Sequence, residues 1–398
     1  MEEGFCAFCY SAPMINRVIL LVIDGLGVGA LPDAKEYAGD GTNTLAHLAE
    51  AAGGLDLPAL ESLGLGHVSE IKGLRVMAQP TGCFGRLGFH SRGMDSLLGN
   101  WELAGCIVNG DQPDYSNGYP DRLLVELEGL FGRKPLGNRV SAGALVLREF
   151  EKEHLSSASP IVWTDGHRTC HVAAHEDLLP SKDLFRLCRE ARRNLKDAWG
   201  IWRVVAHPLS GEAGTWRLSH SRRDFCVEPP NQTMLDLLSR ANQILIAVGK
   251  TGDLFSARGF TRTVLTDSWT SAFEEVNGMF SRVPRGLIYA GLDVLEGTPV
   301  DAAASLHEFD RRLPHLLEQL RPGDLFVLTG DHGQDSRGKH RLPTREYVPV
   351  ILTGPKLAQG VNLGIRSSAA DLGQTIVEAL RGDPLPVGES FLDAVQAG

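Results

Sequence analysis

The stretch Asp324-Leu-Phe-Val-Leu-Thr-Gly-Asp-His-Gly333 constrains this chain most, because an apolar run opens directly onto a carboxylate and an imidazole. Residues 325–329 have the makeup of a strand buried on both faces, and the turn Gly330-Asp331-His332-Gly333 follows at once. In open α/β sheets ligands collect beyond the carboxyl ends of the strands, so what the neighbouring strands carry to that edge decides the chemistry. Three further apolar runs qualify. Residues 18–23 end in Asp24, residues 287–290 end just before Asp293, and residues 244–248 end in Gly249-Lys250. Three acids, one histidine and one lysine from distant parts of the chain are therefore predicted to share one rim, as a carboxylate-rich metal site with a cation for phosphate.

Around that rim the spacing predicts a mostly parallel, doubly wound α/β sheet with an inserted α+β cap domain. Residues 1–14 read as a leader, 15–109 as the first part of the core, 110–228 as the cap and 229–398 as the second part of the core. Thr42 or Asn43 is placed to cap a helix that Gly53-Gly54 ends. Ser96 follows a glycine-containing turn and opens an apolar segment, which puts it at a helix N-terminus, either as the cap or facing an anion. In the cap, helices are expected near 121–130 and 183–196 and strands at 161–163 and 202–206. Arg217, Arg222 and Arg223 form a local basic cluster, suited to phosphate or to solvent. Residues 301–320 are amphipathic, with Pro314 expected to kink or divide the helix.

Charge and composition exclude several classes. A net charge of −10 with no basic block argues against a general nucleic-acid binder. No apolar run reaches the length of a membrane span, and the first residues lack the order of a signal peptide, which reads as cytoplasmic. Seven scattered cysteines suggest reduced thiols; Cys6 and Cys9 lack the second pair that a zinc site needs. The glycines after Asp24 are spaced GxGxG with no helix following at once, unlike a dinucleotide fingerprint.

Several blocks, in order, resemble the phosphopentomutases, members of the alkaline-phosphatase superfamily. They are Asp24-Gly-x-Gly-x-Gly, Asp95-Ser96 with Gly99-x-Trp101-Glu102, Ala173-Ala174-His175-Glu176, Asp224-Phe225 with Glu228-Pro229-Pro230, Gly249-Lys250-x-Gly252-Asp253, Asp331-His332-Gly333 and Thr344-Arg345-Glu346-Tyr347-Val348-Pro349. The resemblance implies a manganese enzyme that moves a phosphoryl group between the 1 and 5 oxygens of ribose or deoxyribose, with a sugar bisphosphate as activator. Ser96 stands where the family has a threonine nucleophile. One metal set, Asp24, Ser96, Asp331 and His332, is matched in full, and Arg222 and Lys250 match residues that hold the sugar's distal phosphate.

The second metal set is matched only at Asp293, since Thr298 and Pro343 occupy its histidine positions. His340 is a possible substitute ligand. In the cap, His207 stands for an arginine and His167 for a sugar-binding aspartate, and Asn100 replaces a histidine. The resemblance thus implies one strongly held Mn2+ with a second that is weak or absent. Two readings stay open: a mutase or one-metal phosphatase acting on a small phosphosugar, and a catalytically impaired paralogue that binds a phosphorylated sugar or a protein partner.

Overall fold

The computed structural model describes residues 15–141, 143–212, 214–218, 222–337 and 342–396. The leader, with Cys6 and Cys9, and His340 lie outside the described residues. Among the described residues fourteen strands fall in chain order: β1 (Arg17–Ile23), β2 (Cys83–Leu87), β3 (Leu136–Val140), β4 (Ile161–Thr164), β5 (Thr169–His175), β6 (Arg203–Ser210), β7 (Arg217–Leu218), β8 (Arg223–Cys226), β9 (Leu245–Val248), β10 (Arg262–Val264), β11 (Gly286–Leu292), β12 (Asp324–Gly330), β13 (Val348–Thr353) and β14 (Asn362–Arg366).

Eight of them form one sheet in the order β10-β9-β11-β1-β12-β13-β2-β14. Only β13 runs against the rest, pairing antiparallel with β12 and with β2. The sheet is therefore mostly parallel, as its apolar runs predict. Its two faces are covered separately. Val18, Leu20 and Val22 of β1 pack with the helices Ser96–Leu103, Met234–Arg240 and Ala370–Ala379. Ile19, Leu21 and Ile23 pack on the other side with Thr44–Ala52, Pro58–Leu63, Trp269–Arg282 and Pro299–Leu317. Alternate side chains of one strand thus enter different cores, which explains why β1 and β12 are apolar without interruption.

One polar pair is built into the start of these central strands. Arg17 faces Asp324 in register across β1 and β12, with Nε 3.0 Å from Oδ1 and Nη2 2.5 Å from Oδ2. The remaining guanidinium nitrogen donates to the carbonyls of Phe280 and Val283, so the buried charge is fully partnered.

The helix predicted around Pro314 is not divided. It runs as one element over Pro299–Leu317. A proline this near the end removes a single backbone donor, while Leu313 and Leu316 on either side stay fully buried and hold the last turn on the core.

The other six strands make a second, mixed sheet in the order β3-β4-β5-β6-β7, with β8 alongside the first half of β6. Its helices, Asp121–Phe131, Gly143–Ser157 and Ser181–Trp199, build cores of their own around Leu184, Leu195 and Val204 on one face and Trp163 and Leu209 on the other. β8 reaches back to the first sheet, where Arg223 pairs with Asp253 through two bonds of 3.0 Å. Among the described residues the five cysteines are free and buried. No helix of the described residues is long and apolar enough to cross a membrane.

Candidate metal and phosphoryl-transfer site

Adjacent strands β1 and β12 end at Asp24 and Asp331, and the loop after β12 adds His332. The helix Ser96–Leu103 points its first residue at this edge from below. Asp95, not Ser96, is the cap: its carboxylate accepts from the Leu98 amide at 3.0 Å. The Ser96 hydroxyl is thereby released from capping. It donates to Asp24 Oδ1 at 2.7 Å and lies 3.1 Å from His332 Nε2. The close seat of the helix requires glycine at position 99, because a Cβ there would stand 1.9 Å from the Asp331 carbonyl oxygen.

The orientation of His332 is set from behind. Its Nδ1 donates to the Gly333 carbonyl at 2.7 Å, which turns Nε2 to the acids, 3.4 Å from Asp24 Oδ1 and 3.7 Å from Asp331 Oδ1. Asp331 is held by the Gly25 amide at 3.1 Å and by Asn100 Nδ2 at 2.9 Å. Asn100 is fixed in turn by the buried Tyr289 hydroxyl, which donates to its Oδ1 at 2.8 Å.

Burial, with Asp24 alongside, pushes the Asp331 carboxyl up to about 7 despite His332 and Lys250. Burial alone would lower the His332 imidazole, but Asp331 and Asp24 hold it up at about 9. Burial also opposes ionisation of Asp24, yet Lys250 and the hydrogen bonds from His332 and Ser96 hold its carboxyl well below the usual carboxylate range. These shifts describe a buried pocket in which two carboxylates sit close together beside an imidazole and an ammonium. Asp24, Asp331 and His332 each offer one ligand atom, all within 4.8 Å of one another. Two carboxylates, an imidazole and a neighbouring hydroxyl form a donor set that fits a hard or borderline divalent cation.

Asp293, the acid expected for the second metal set, lies on the same rim, across Lys250 from Asp24 and outside the group formed by Asp24, Asp331 and His332. Its Oδ1 is 2.5 Å from Lys250 Nζ and its Oδ2 3.9 Å from Arg222 Nη1. Thr298 caps the helix Pro299–Leu317 and donates its hydroxyl to Asp301 at 2.6 Å. Lys250 also lies 2.9 Å from Asp24 Oδ1, so the lysine from β9 joins the rim as the strand ends predict.

Between the two sheets a cavity of about 310 Å3 is lined by His207, Arg222, Lys250, Trp269, Asp293 and Glu296. Arg222 is tied to Asp224 at 3.1 Å and approaches Glu296 at 3.8 Å. His207 stacks on Trp163 with ring centres 5.0 Å apart, bonds His171 at 3.0 Å, and leaves its buried Nδ1 without a partner. His167 does not join this cavity; it lies near Asp95, Asp165 and Pro343.

Sequence reasoning missed the residues that hold the loops. Glu346 accepts from the Gly29 and Thr44 amides and from the hydroxyls of Thr44 and Thr344. Arg345 donates to the carbonyls of Phe89, Ser91 and Gly93 and pairs with Asp33 at 2.9 Å. Their signal was present in the Thr344-Arg345-Glu346 block, which carried no role of its own.

A family model described as the metalloenzyme superfamily matches residues 296–384. The phosphopentomutase of Clostridium kluyveri is 37% identical over 372 residues, covering 92% of this chain and 96% of that protein. The phosphopentomutase of Clostridium novyi is 38% identical over 390 residues, covering 96% and 100%. Among solved structures, the phosphoglycerate mutase of Leishmania mexicana aligns with a TM-score of 0.48 at 14% identity, covering 98% of this chain and 99% of that one. With identities of this size over nearly its whole length, the chain belongs to the phosphopentomutase family.

Proposed function

We propose that the chain interconverts a pentose 1-phosphate and the corresponding 5-phosphate, on ribose or deoxyribose, by way of a phosphoryl group carried on Ser96. One observation carries this reading. Among the described residues the Ser96 hydroxyl bonds Asp24 and meets His332 while another residue, Asp95, caps its helix. Asp24, held ionised, receives the hydrogen bond from Ser96 and favours the oxygen as nucleophile.

In the forward half the bond from phosphorus to Ser96 Oγ breaks, and a bond to the free sugar hydroxyl forms. That hydroxyl's proton passes by way of Asp24 to the departing Ser96 oxygen, and the return half reverses the transfer, breaking the bond from phosphorus to the other sugar oxygen and leaving the proton there. The resulting bisphosphate reorients, and its other phosphoryl group returns to Ser96. Asp24, Asp331, His332 and the Ser96 oxygen would hold the divalent cation, which we assign as manganese. When bound, such an ion neutralises charge on the transferring oxygens. Arg222 lines the cavity, and its guanidinium suits the phosphate that is not reacting. Lys250 is the other cation of the cavity.

The mixed sheet, within residues 110–228, acts in this reading as a cap over the metal edge. The buried free cysteines accord with a reducing, cytoplasmic setting. Intact mass after incubation with manganese and a sugar bisphosphate tests the proposal, followed by conversion of ribose 1-phosphate to ribose 5-phosphate. A mass gain of one phosphoryl group that maps to Ser96, with isomer turnover, is expected. Absence of both would leave a binding protein.

A further inference from the structure

The positive charge beside the Asp24 end of the site is supplied by the chain itself. Lys250 Nζ lies 2.9 Å from Asp24 Oδ1 and 2.5 Å from Asp293 Oδ1, and its side chain is only 10% exposed. Gly249 makes this possible: its φ of 72° turns the chain sharply at the end of β9, and a Cβ there would stand 2.6 Å from the Gly291 carbonyl oxygen. The ammonium is thereby delivered between two carboxylates that come from different strands.

We propose that Lys250 serves as the second fixed cation of the reacting centre, neutralising Asp24 and Asp293 together, so that this chain transfers phosphoryl groups with one divalent ion and one built-in ammonium. The inference deepens the role of Ser96 proposed above and rests on it. Three observations carry it. Asp24, Asp331 and His332 are the metal-capable group among the described residues, and Asp293 is not in it. Both oxygens of Asp293 already face cations, Lys250 on one side and Arg222 on the other. Thr298, close by in sequence, has spent its hydroxyl on Asp301, both as donor and as cap for the Asp301 amide.

The geometry also places the charge where it is useful. Lys250 Nζ and Ser96 Oγ share one oxygen, Asp24 Oδ1, so they are no more than two hydrogen-bond lengths apart. A phosphoryl group on Ser96 is therefore within reach of the ammonium, which binds phosphate oxygens as a point charge. Lys250 belongs to the reacting end of the site, and the distal phosphate is left to Arg222. A second divalent ion at Asp293 would have to displace the ammonium and face the Arg222 guanidinium as well.

Manganese titration of the metal-stripped full chain, followed by elemental analysis after dialysis, tests this without any activity measurement. The unsubstituted chain is expected to retain one ion. Lys250→Met removes the charge and keeps the length, so it should bind its first ion about tenfold or more tightly, or take up a second. Lys250→Arg should stay close to the unsubstituted chain. Two retained ions in the unsubstituted chain would overturn the assignment, as would Lys250→Met binding no more ions and no more tightly. Lys250→Gln provides the same comparison if the methionine variant does not fold. A chain that holds one ion but forms no phosphoserine would instead sink the mutase reading and leave the charge assignment standing.

Discussion

The Ser96 hydroxyl meets Asp24 Oδ1 at 2.7 Å across 72 positions of chain. Removing that hydroxyl takes away the proposed phosphoryl carrier and one hydrogen bond to Asp24, which keeps Lys250. Ser96→Ala is expected to lose the phosphoenzyme and to lower turnover by roughly 10^3-fold or more, with stability changed by about 1 kcal/mol at most. Intact mass and a denaturation curve decide it together. A phosphorylated Ser96→Ala protein would move the chemistry to another residue.

Arg222 faces the cavity beside Asp293 and Glu296. Arg222→Ala should weaken binding of the pentose phosphate by about 1.5–3 kcal/mol, a tenfold to hundredfold rise in Kd. Calorimetric titration of ribose 5-phosphate measures this directly. An unchanged Kd would mean that the cavity holds something other than a phosphate.

Behind the metal ligands, Asn100 connects Tyr289 to Asp331 through two bonds of 2.8 and 2.9 Å. Asn100→Ala leaves a buried hydroxyl and a buried carboxylate short of partners. We expect a stability loss of about 1–3 kcal/mol and a metal affinity lower by roughly 10–100-fold. Thermal unfolding with and without manganese separates the two effects. A variant with unaltered affinity would show that Asp331 is oriented sufficiently by the Gly25 amide.

Burial, with the Arg222 guanidinium near it, pushes the His207 imidazole down from 6.5 to about 3. His171 beside it is lowered in the same way, by burial and then by His207. Above pH 6.5 neither state is protonated at His207, and the folded protein carries no penalty. Below it the unfolded chain takes up a proton that the folded chain refuses, so stability falls from pH 6.5 towards 3. For His207 alone the loss at pH 5 is about 2 kcal/mol. His207→Gln should lose roughly 1–2 kcal/mol less than the unsubstituted chain between pH 7 and pH 5 in urea denaturation. Equal losses would contradict a neutral, buried His207.

The central strands were legible because burial on both faces leaves a continuous apolar run, and the residues that end those runs are the ones that meet at Asp24. Edge elements were harder. β14 reads Asn-Leu-Gly-Ile-Arg and is largely exposed, and β3 carries Gly137 and Asn138 at positive φ, so neither has the alternation that marks a strand. The position of Lys250 on the rim followed from the end of β9, but its bridging of Asp24 and Asp293 depends on how far a flexible side chain reaches, which strand order does not specify. Glu346 and Arg345 sit before β13, the one strand that runs backwards. A rule that looks only after strands passes over them.

The first strand of the described residues receives its two neighbours late in the chain. β1 lies between β11 and β12, and Arg17 waits for Asp324, 307 positions later. At translation speeds of about 5–20 residues per second, the run Arg-Val-Ile-Leu-Leu-Val-Ile has neither neighbour for on the order of 10–50 s, until β11 is made, and lacks β12 for longer still. During synthesis this protein therefore presents a naked apolar strand for most of its manufacture, and its yield in a cell will depend on chaperone capacity more than its finished sheet suggests.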